Sequence, residues 1–351
     1  MAALVAIVSF RLGGPDGVSV VAEIWGRALG RLGLQVRTVA GSGRADRLLP
    51  DLAMDATPGP GLAGRLAEAL AGADLVVVEN VCSLPRNPAA AAALAAHLAG
   101  RPAILHHHDL PWQREDLPDR PGWPPDDPAW AHVTINERSR GELAARGVAA
   151  TTLYGGFPVP GPGRRELARR RLGVAPGRRL LLQPTRAIPR KNVPAGLAMA
   201  EALEADYWLT GPAEDGYGPE LERLLAAATS RVHRRIPEGL TMDDAYAACD
   251  AVVLPSTWEG FGAPLIEASL HRRPLAVGDY PVAAELAAFG FRWFPADDPT
   301  PLKAFLDRPD PALLAANHDV AMRQFSLDAL GAQLAALLRD AGWGHLLEGR
   351  T

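Results

Sequence analysis

Glu259 and Glu267 stand eight positions apart in the segment Ser256-Thr257-Trp258-Glu259-Gly260-Phe261-Gly262-Ala263-Pro264-Leu265-Ile266-Glu267. The apolar run before it, Ala251-Val252-Val253-Leu254, reads as a buried parallel strand. Pro264 suits the first turn of a following helix, where a missing N–H leaves no bond unmade. The spacing therefore predicts a strand-to-helix turn in which Gly260 and Gly262 let the backbone approach a ligand closely. Free N–H groups at a helix start favour an anion such as a diphosphate, and an ionised carboxylate has two acceptor oxygens with which to grip a vicinal diol. A nucleotide sugar presents both groups. The competing reading of two glutamates at this spacing is a solvated helix face.

The segment resembles the Glu-x7-Glu signature of retaining family 4 glycosyltransferases. That resemblance implies an α/β fold of GT-B type, two Rossmann-like domains facing across a central cleft. It also implies that Glu267 accepts hydrogen bonds from the nucleotide ribose, while Glu259 and the backbone of Gly260, Phe261, Gly262 and Ala263 hold the transferred sugar. Moving a sugar from a nucleoside diphosphate requires stabilising the charge that grows on the leaving phosphate. A metal or fixed cations must do it. The family has an Arg and a Lys five positions apart in the loop after the first strand of its second domain. Arg186 and Lys191 of Gln183-Pro184-Thr185-Arg186-Ala187-Ile188-Pro189-Arg190-Lys191-Asn192 match them. A planar fork and a compact charge together can replace Mg²⁺; Arg190 reads as solvated. Asp126-Asp127 and Asp297-Asp298 sit beside prolines and read as turns rather than as metal-holding Asp-x-Asp. No metal and no cofactor beyond the nucleotide sugar are expected.

In the first half, His106-His107-His108 followed by Asp109 ends a strand beginning at Ala103. Adjacent strand side chains alternate in direction, so only His106 and His108 share a face. No Glu or Cys lies at a supporting spacing, and a metal is not expected there either. His108-Asp109-Leu110 is similar to the family's histidine loop, where the imidazole approaches the transferred sugar; a structural strand-end histidine is the alternative. Arg11-Leu12-Gly13-Gly14-Pro15-Asp16-Gly17-Val18 is a glycine loop opening a helix. It lacks the Gly-x-Gly-x-x-Gly spacing, an acidic residue ending the second strand, and the Gly-Lys-Ser/Thr of a phosphate loop. The resemblance places Gly13 and Gly14 beside the donor diphosphate, although any tight strand-to-helix turn uses such residues. Trp112, with Asp109 and the neighbours Gln113, Arg114, Glu115 and Asp116, is a candidate for shaping an acceptor site, because aromatic faces stack on sugar rings. Asn136 follows another strand and reads either as an acceptor ligand or as a helix cap.

These residues need a scaffold that brings strand ends together. With 351 residues, 48% of them hydrophobic, the chain is long enough for two cores. Short apolar runs alternate with helical stretches, the pattern of parallel α/β architecture. Strands are expected at 4–9, 35–39, 74–79, 103–107, 132–135 and 151–154, then again at 179–183, 205–210, 230–234, 250–254 and 275–277. Helices are expected at 18–32, 88–99 and 327–339. Gly and Pro density marks 155–163 as an exposed linker. The expected domains are 1–157, on the acceptor side, with 327–351 packing back onto it by resemblance, and 158–326, which holds the donor. Arg164, Arg165, Arg169, Arg170 and Arg171 read as a solvated helix face, or in a second reading as a patch for anionic membrane.

The formal charge of -4 and a pI near 6.2 argue against a nucleic-acid partner. Cys82 and Cys249 have no paired-ligand spacing and read as buried thiols of a cytoplasmic protein. The first apolar run reads as a strand rather than a leader, and no run approaches membrane-spanning length. The sequence thus points to a retaining, metal-independent hexosyltransferase acting on a hydroxylated small molecule or glycoside. A nucleotide-sugar epimerase or hydrolase on the same fold, and a non-catalytic nucleotide-sugar-binding protein, are the alternatives.

Overall fold

The computed structural model describes residues 2–14, 16–114, 117 and 119–348. It divides into two compact units, Met1–Gly156 with Leu327–Thr351, and Phe157–Ser326.

In the first unit the chain runs β1 (Leu4–Leu12), α1 (Gly17–Arg31), β2 (Gln35–Gly43), β3 (Arg47–Leu48), α2 (Leu62–Ala69), β4 (Leu75–Glu79), α3 (Pro88–Leu98), β5 (Ala103–His107), β6 (Trp130–Thr134), α4 (Glu137–Ala144) and β7 (Ala150–Thr152). The strands form one parallel sheet in the order β3-β2-β1-β4-β5-β6-β7. All five residues of β4 and of β5 are buried, as strands covered on both faces must be. Alternation divides the apolar side chains. Ile7, Val77, Ile104 and Val133 join one core with Trp25 of α1, whereas Ala6, Val8, Val76, Val78 and Leu105 join another with Leu66 of α2 and Leu94 of α3.

In the second unit the order is α5 (Arg165–Leu172), β8 (Arg179–Gln183), α6 (Val193–Ala202), β9 (Ala205–Leu209), α7 (Gly218–Ala227), β10 (Val232–Arg234), α8 (Met242–Ala248), β11 (Ala251–Leu254), α9 (Ala263–Leu270), β12 (Leu275–Val277), α10 (Pro281–Ala287), β13 (Phe294–Pro295), α11 (Pro299–Asp307) and α12 (Pro311–Phe325). Its sheet is parallel in the order β10-β9-β8-β11-β12-β13. The chain then returns to the first unit as α13 (Leu327–Asp340), whose Leu330, Leu334, Leu337 and Leu338 pack in the core that holds Trp25.

Each sheet has one place where strand order reverses, β1/β4 in the first and β8/β11 in the second. The carboxyl ends of strands at such a reversal leave a crevice, because their connections depart to opposite sides.

Two expectations need correction. The segment 155–163 is not an exposed linker throughout: Gly156 and Phe157 are buried, and Gly161 N donates to Asp243 Oδ2 at 3.1 Å. A Cβ on Gly163 would lie 2.2 Å from Asp243 O, so its small residues let main chain lie directly on α8. The arginine run is a solvated face only in part, for Arg170 and Arg171 are exposed while the other three are paired. Arg164 pairs with Asp244 at 2.6 Å, and Arg165 and Arg169 pair with Asp250 at 2.6 and 3.2 Å. Arg165 and Arg169 also donate to Ala248 O at the end of α8, where cations complement the unsatisfied carbonyls. The two-residue strands β3 and β13 are too short to leave a periodic signal.

Candidate active site

The second unit gathers its charged candidates at the β8/β11 reversal. Gln183, the last residue of β8, accepts from Tyr207 Oη at 2.6 Å and donates to the carbonyl of Lys191 at 2.9 Å. That bond anchors the returning end of the loop after β8 and fixes Lys191 in a buried position. On the β11 side, Thr257 N donates to Arg190 O at 2.9 Å, which ties the two loops together. The Lys191 Nζ donates to Glu259 Oε1, Ser256 Oγ donates to the same oxygen at 2.6 Å, and Arg190 donates to Oε2 at 2.7 Å.

Glu259 is 4% exposed. Burial pushes its carboxyl pKa up, but the charges of Lys191 and Arg190 and the hydrogen bonds from Lys191 and Ser256 outweigh that and hold it below the usual value. Lys191 shows the converse. Burial lowers its pKa, Glu259 opposes the fall, and the neighbouring charges of Arg190 and Arg186 add to it. Arg186 itself is exposed and pairs with Glu214 at 2.6 Å.

Gly262 caps α9 in the left-handed region at φ 88°, a conformation that only glycine adopts without strain, and Pro264 occupies its first turn. Gly260, Phe261 and Gly262 carry the chain from Glu259 into that helix, which Ala263 begins. Glu267 lies on α9 and accepts from Tyr246 Oη at 2.6 Å. Burial raises its pKa, the Tyr246 bond works against that, and the charge of Asp243 adds to the rise.

Four partners here escaped sequence reasoning. Arg190 is not solvated but bonded to Glu259 and to Trp258 O at 2.9 Å. Ser256 and Tyr246 act through contacts that no spacing rule reports. Tyr280 ends the connection after β12, is 2% exposed and has a hydroxyl with no hydrogen-bond partner among the described residues. A Cβ on Gly262 would stand 2.9 Å from that hydroxyl. Its position beyond a strand carboxyl end was the available signal.

In the first unit, alternation along β5 sends the three histidines into two networks. His107 Nδ1 meets Ser83 Oγ at 2.6 Å and its Nε2 meets His132 Nδ1 at 2.9 Å, and His132 in turn reaches Asp126 at 3.0 Å. On the other face, Glu79 Oε2 lies 2.9 Å from His106 Nδ1 and 2.6 Å from His108 Nε2. No supporting carboxylate was expected near these histidines, so Glu79 is a correction. It ends β4, and parallel pairing sets it directly beside His106 across the sheet. A charged residue closing the run Leu75-Val76-Val77-Val78 was the signal that could have found it.

Burial raises the Glu79 pKa, but the charge and hydrogen bonding of His106, followed by those of His108, bring it to about 2. With Glu79 ionised, His108 donates through Nε2 and keeps Nδ1 for another partner. Among the described residues these three form the group able to hold a metal. Within the group Glu79 Oε2 is hydrogen-bonded to His108, whereas neither ring nitrogen of His106 has a hydrogen-bond partner among the described residues.

The remaining candidates disperse. Gly13 takes φ 73° and its carbonyl accepts from Arg44 at 3.0 Å, while a Cβ on Gly14 would meet Asp16 Oδ2 at 2.9 Å. Asp109 is 3.8 Å from Arg114. One face of Trp112 is covered by the Arg146 guanidinium, 3.5 Å from the ring centroid, and its indole N–H donates to Glu142 at 2.8 Å. Asn136 caps α4 by accepting from Ser139 N at 2.7 Å. Glu115, Asp116 and Pro15 lie outside the described residues.

Residues 189–306 match the family model for Glycosyl transferases group 1. The chain is 25% identical to mannosylglucosylglycerate synthase of Thermotoga maritima over 79% of its own length and 81% of that protein's. It is 24% identical to mannosylglucosylglycerate synthase of Petrotoga mobilis over 62% of each. Among solved structures, Anabaena HepE in complex with UDP-glucose superposes with a TM-score of 0.70 at 18% identity, covering 96% of this chain and 99% of the other. A glycosyltransferase from Rickettsia africae gives a TM-score of 0.75 at 14% identity, covering 97% and 98%.

Proposed function

We propose that this chain, a group 1, nucleotide-sugar-dependent glycosyltransferase of GT-B fold, moves a hexose with retention from a nucleoside diphosphate to a hydroxyl of a small-molecule or glycoside acceptor, without a metal. The second unit holds the donor and the first unit holds the acceptor. One observation carries the reading: Lys191, Arg190 and Ser256 converge on Glu259 at the carboxyl ends of β8 and β11, next to the start of α9.

A carboxylate offers about four lone-pair sites. Three donors already engage Glu259, two on Oε1 and one on Oε2. The remaining site on Oε2 suits a hydroxyl of the transferred sugar. In the same stroke Glu259 fixes Lys191 and Arg190, which with Arg186 supply positive charge for the leaving diphosphate without reorganisation during the reaction. The backbone from Gly260 to Ala263 adds N–H groups at a helix start. Glu267, bonded by Tyr246 on Oε2, offers Oε1 to the ribose. By the resemblance, Gly13 and Gly14 of the first unit are assigned to the diphosphate. In the first unit we assign His108, held through Nε2 by Glu79, to the transferred sugar and Asp109 to the acceptor, whereas Trp112, with one face under Arg146, and Asn136, engaged as the cap of α4, have other structural duties.

The complexes of Anabaena HepE contain UDP and glucose, which makes a UDP-hexose the first donor to test, and the name of the Thermotoga relative makes a mannosyl donor the second. A thermal-shift screen of UDP, GDP and ADP sugars tests the donor, because a ligand that binds only the folded state raises its melting temperature. Product analysis with and without acceptor then separates transfer from hydrolysis or epimerisation. No shift with any of the three nucleotides sinks the reading.

A further inference from the structure

Two helices of the second unit meet across the carboxylate assigned to the ribose. Asp243 and Tyr246 stand three positions apart on α8, and Glu267 and His271 stand four apart on α9, with His271 capping its end. Either spacing puts both side chains on one face of a helix. The two faces interlock. Tyr246 Oη donates to Glu267 Oε2 at 2.6 Å, and the Tyr246 ring stacks on the His271 imidazole, with centroids 4.4 Å apart and planes 14° from parallel. His271 Nε2 lies 3.2 Å from Asp243 Oδ1, while Asp243 Oδ2 accepts from Gly161 N at 3.1 Å.

Burial separates what holds this clamp from what a ligand can reach. Tyr246 is 1% exposed, so it acts on a ligand only through Glu267. Glu267 is partly exposed, and its Oε1 is not taken by Tyr246. A glutamate side chain left alone samples several rotamers, and ordering it on binding costs affinity. The Tyr246 bond imposes that order in advance. Among the described residues, Tyr246 and Asp243 of α8 bear on the ionisation of Glu267 in opposite senses: burial raises its pKa, the Tyr246 bond lowers it and the Asp243 charge adds to the rise. His271 does not cancel the Asp243 charge at neutral pH, because burial, against the pull of Asp243 and with Arg273 adding to the fall, takes its pKa down to about 4.

From this clamp we propose that Tyr246 is a positioning residue for nucleotide binding: it fixes Glu267 in one orientation so that Oε1 meets a ribose hydroxyl, while His271, held by Asp243, keeps the Tyr246 ring in place. The inference rests on the ribose role given to Glu267 above and names the residues that make that role selective. An ionised carboxylate accepts strongly from a hydroxyl, and a protonated one loses much of that capacity. Selectivity for the hydroxyl therefore persists only above the pKa of Glu267. Removing the Tyr246 hydroxyl moves that limit up in pH, and removing the Asp243 charge moves it down. A tyrosine that only fills the core moves neither.

Calorimetric titration of the full chain at a series of pH values tests this, using whichever of UDP, GDP and ADP gives the largest melting shift, beside its 2′-deoxy and 3′-deoxy analogues. At neutral pH the wild type is expected to prefer the ribonucleotide to at least one analogue by roughly 10- to 100-fold, the range of a hydrogen bond to a charged group. Glu267→Gln abolishes most of that preference. Tyr246→Phe, which keeps the stacked ring, reduces it and shifts its loss to higher pH, whereas Asp243→Asn retains it and shifts its loss to lower pH. A Tyr246→Phe protein with the wild-type preference and pH profile, or two variants that displace the profile in the same direction, overturns the proposal. Neither outcome touches the transferase reading, provided that Glu267→Gln loses the preference. A wild type indifferent to both deoxy changes, or a Glu267→Gln protein that keeps the preference, removes the ribose role of Glu267 and this inference with it. No shift with any of the three nucleotides removes the transferase reading itself.

Discussion

The Glu259 cluster makes a quantitative demand on stability that is separable from catalysis. Side chains of Lys191 and Glu259 are 11% and 6% exposed, so each ion has lost most of its water and depends on the other. Glu259→Ala leaves Lys191 buried without a counter-ion, and removal of one member of such a pair costs about 3–5 kcal/mol. Arg190, at 35% side-chain exposure, can turn to solvent and adds little. For a unit of this size each kcal/mol lowers the melting temperature by roughly 2–4 °C, which gives a fall of about 6–20 °C. Lys191→Met alone is costly for the mirror reason. The pair Lys191→Met with Glu259→Leu removes both charges and is expected to recover most of the loss, because replacing a whole buried pair by apolar groups is close to neutral. Calorimetric melting of the wild type, Lys191→Met, Glu259→Leu and the double variant gives the coupling directly, and about 2 kcal/mol or more is expected. Strictly additive single losses, or a Glu259→Ala cost under about 1 kcal/mol as for a surface pair, would falsify the account of Lys191 as a cation held in place by Glu259.

Glu267→Gln should bring stability and binding into opposition. Its folded pKa is raised, so the ionised carboxylate costs stability at neutral pH and that cost is relieved as pH falls through the folded value; the amide therefore melts higher at neutral pH yet binds nucleoside diphosphate more weakly. In the wild type, nucleotide affinity should fall on mild acidification, and a Gln variant with the same pH profile refutes the ribose role. Glu79 has the opposite sign: its depressed pKa supplies stability above about pH 4.5 that is lost as pH drops toward 2. Glu79→Gln should flatten that acid limb of the melting curve and lower kcat with little change in donor KM, and an unchanged acid limb counts against the cluster. Activity in the presence of a chelator should equal that in its absence, and restoration of lost activity by Mg²⁺ or Zn²⁺ would return the diphosphate, or the Glu79, His106 and His108 group, to a metal.

Much of the scaffold was legible because parallel strands buried on both faces leave short apolar runs rich in Val, Ile and Leu, whereas the apolar run of α3 is built of Ala. The strands 103–107, 179–183 and 275–277 were read with their observed limits, and α1 begins one residue before its expected start because Asp16 caps it. Legibility failed where a residue's meaning depends on what lies beside it in another strand. Glu79 is 27 positions before His106 in sequence, yet they are register partners in the sheet. The arginine run around α5 looked solvated because its acceptors, the carbonyls ending α8 and the Asp250 side chain, are some 80 residues away. Lys191 and Glu259 were each identified by motif, but their direct contact, and Arg190's share in it, required the fold.

The two sheet reversals solve one electrostatic problem with different chemistry. A carboxylate at a strand end in the interior must find donors or lose its charge. Glu259 finds cations with a fixed charge, Lys191 and Arg190, and so remains ionised at any pH near neutrality. Glu79 finds imidazoles, which are titratable themselves, and burial lowers the pKa of His106 below its usual value and so favours its neutral form. The difference suits a division of labour in glycosyl transfer. Holding a diphosphate calls for a charge pattern that does not vary, whereas an acceptor hydroxyl must give up a proton as its new bond forms. Glu79 Oε1 and both ring nitrogens of His106 are buried without a hydrogen-bond partner among the described residues, as is the Tyr280 hydroxyl beside Gly262 in the second unit. On the transferase reading proposed above, buried polar atoms without partners at these strand ends are groups that a bound ligand, by satisfying them, would stabilise.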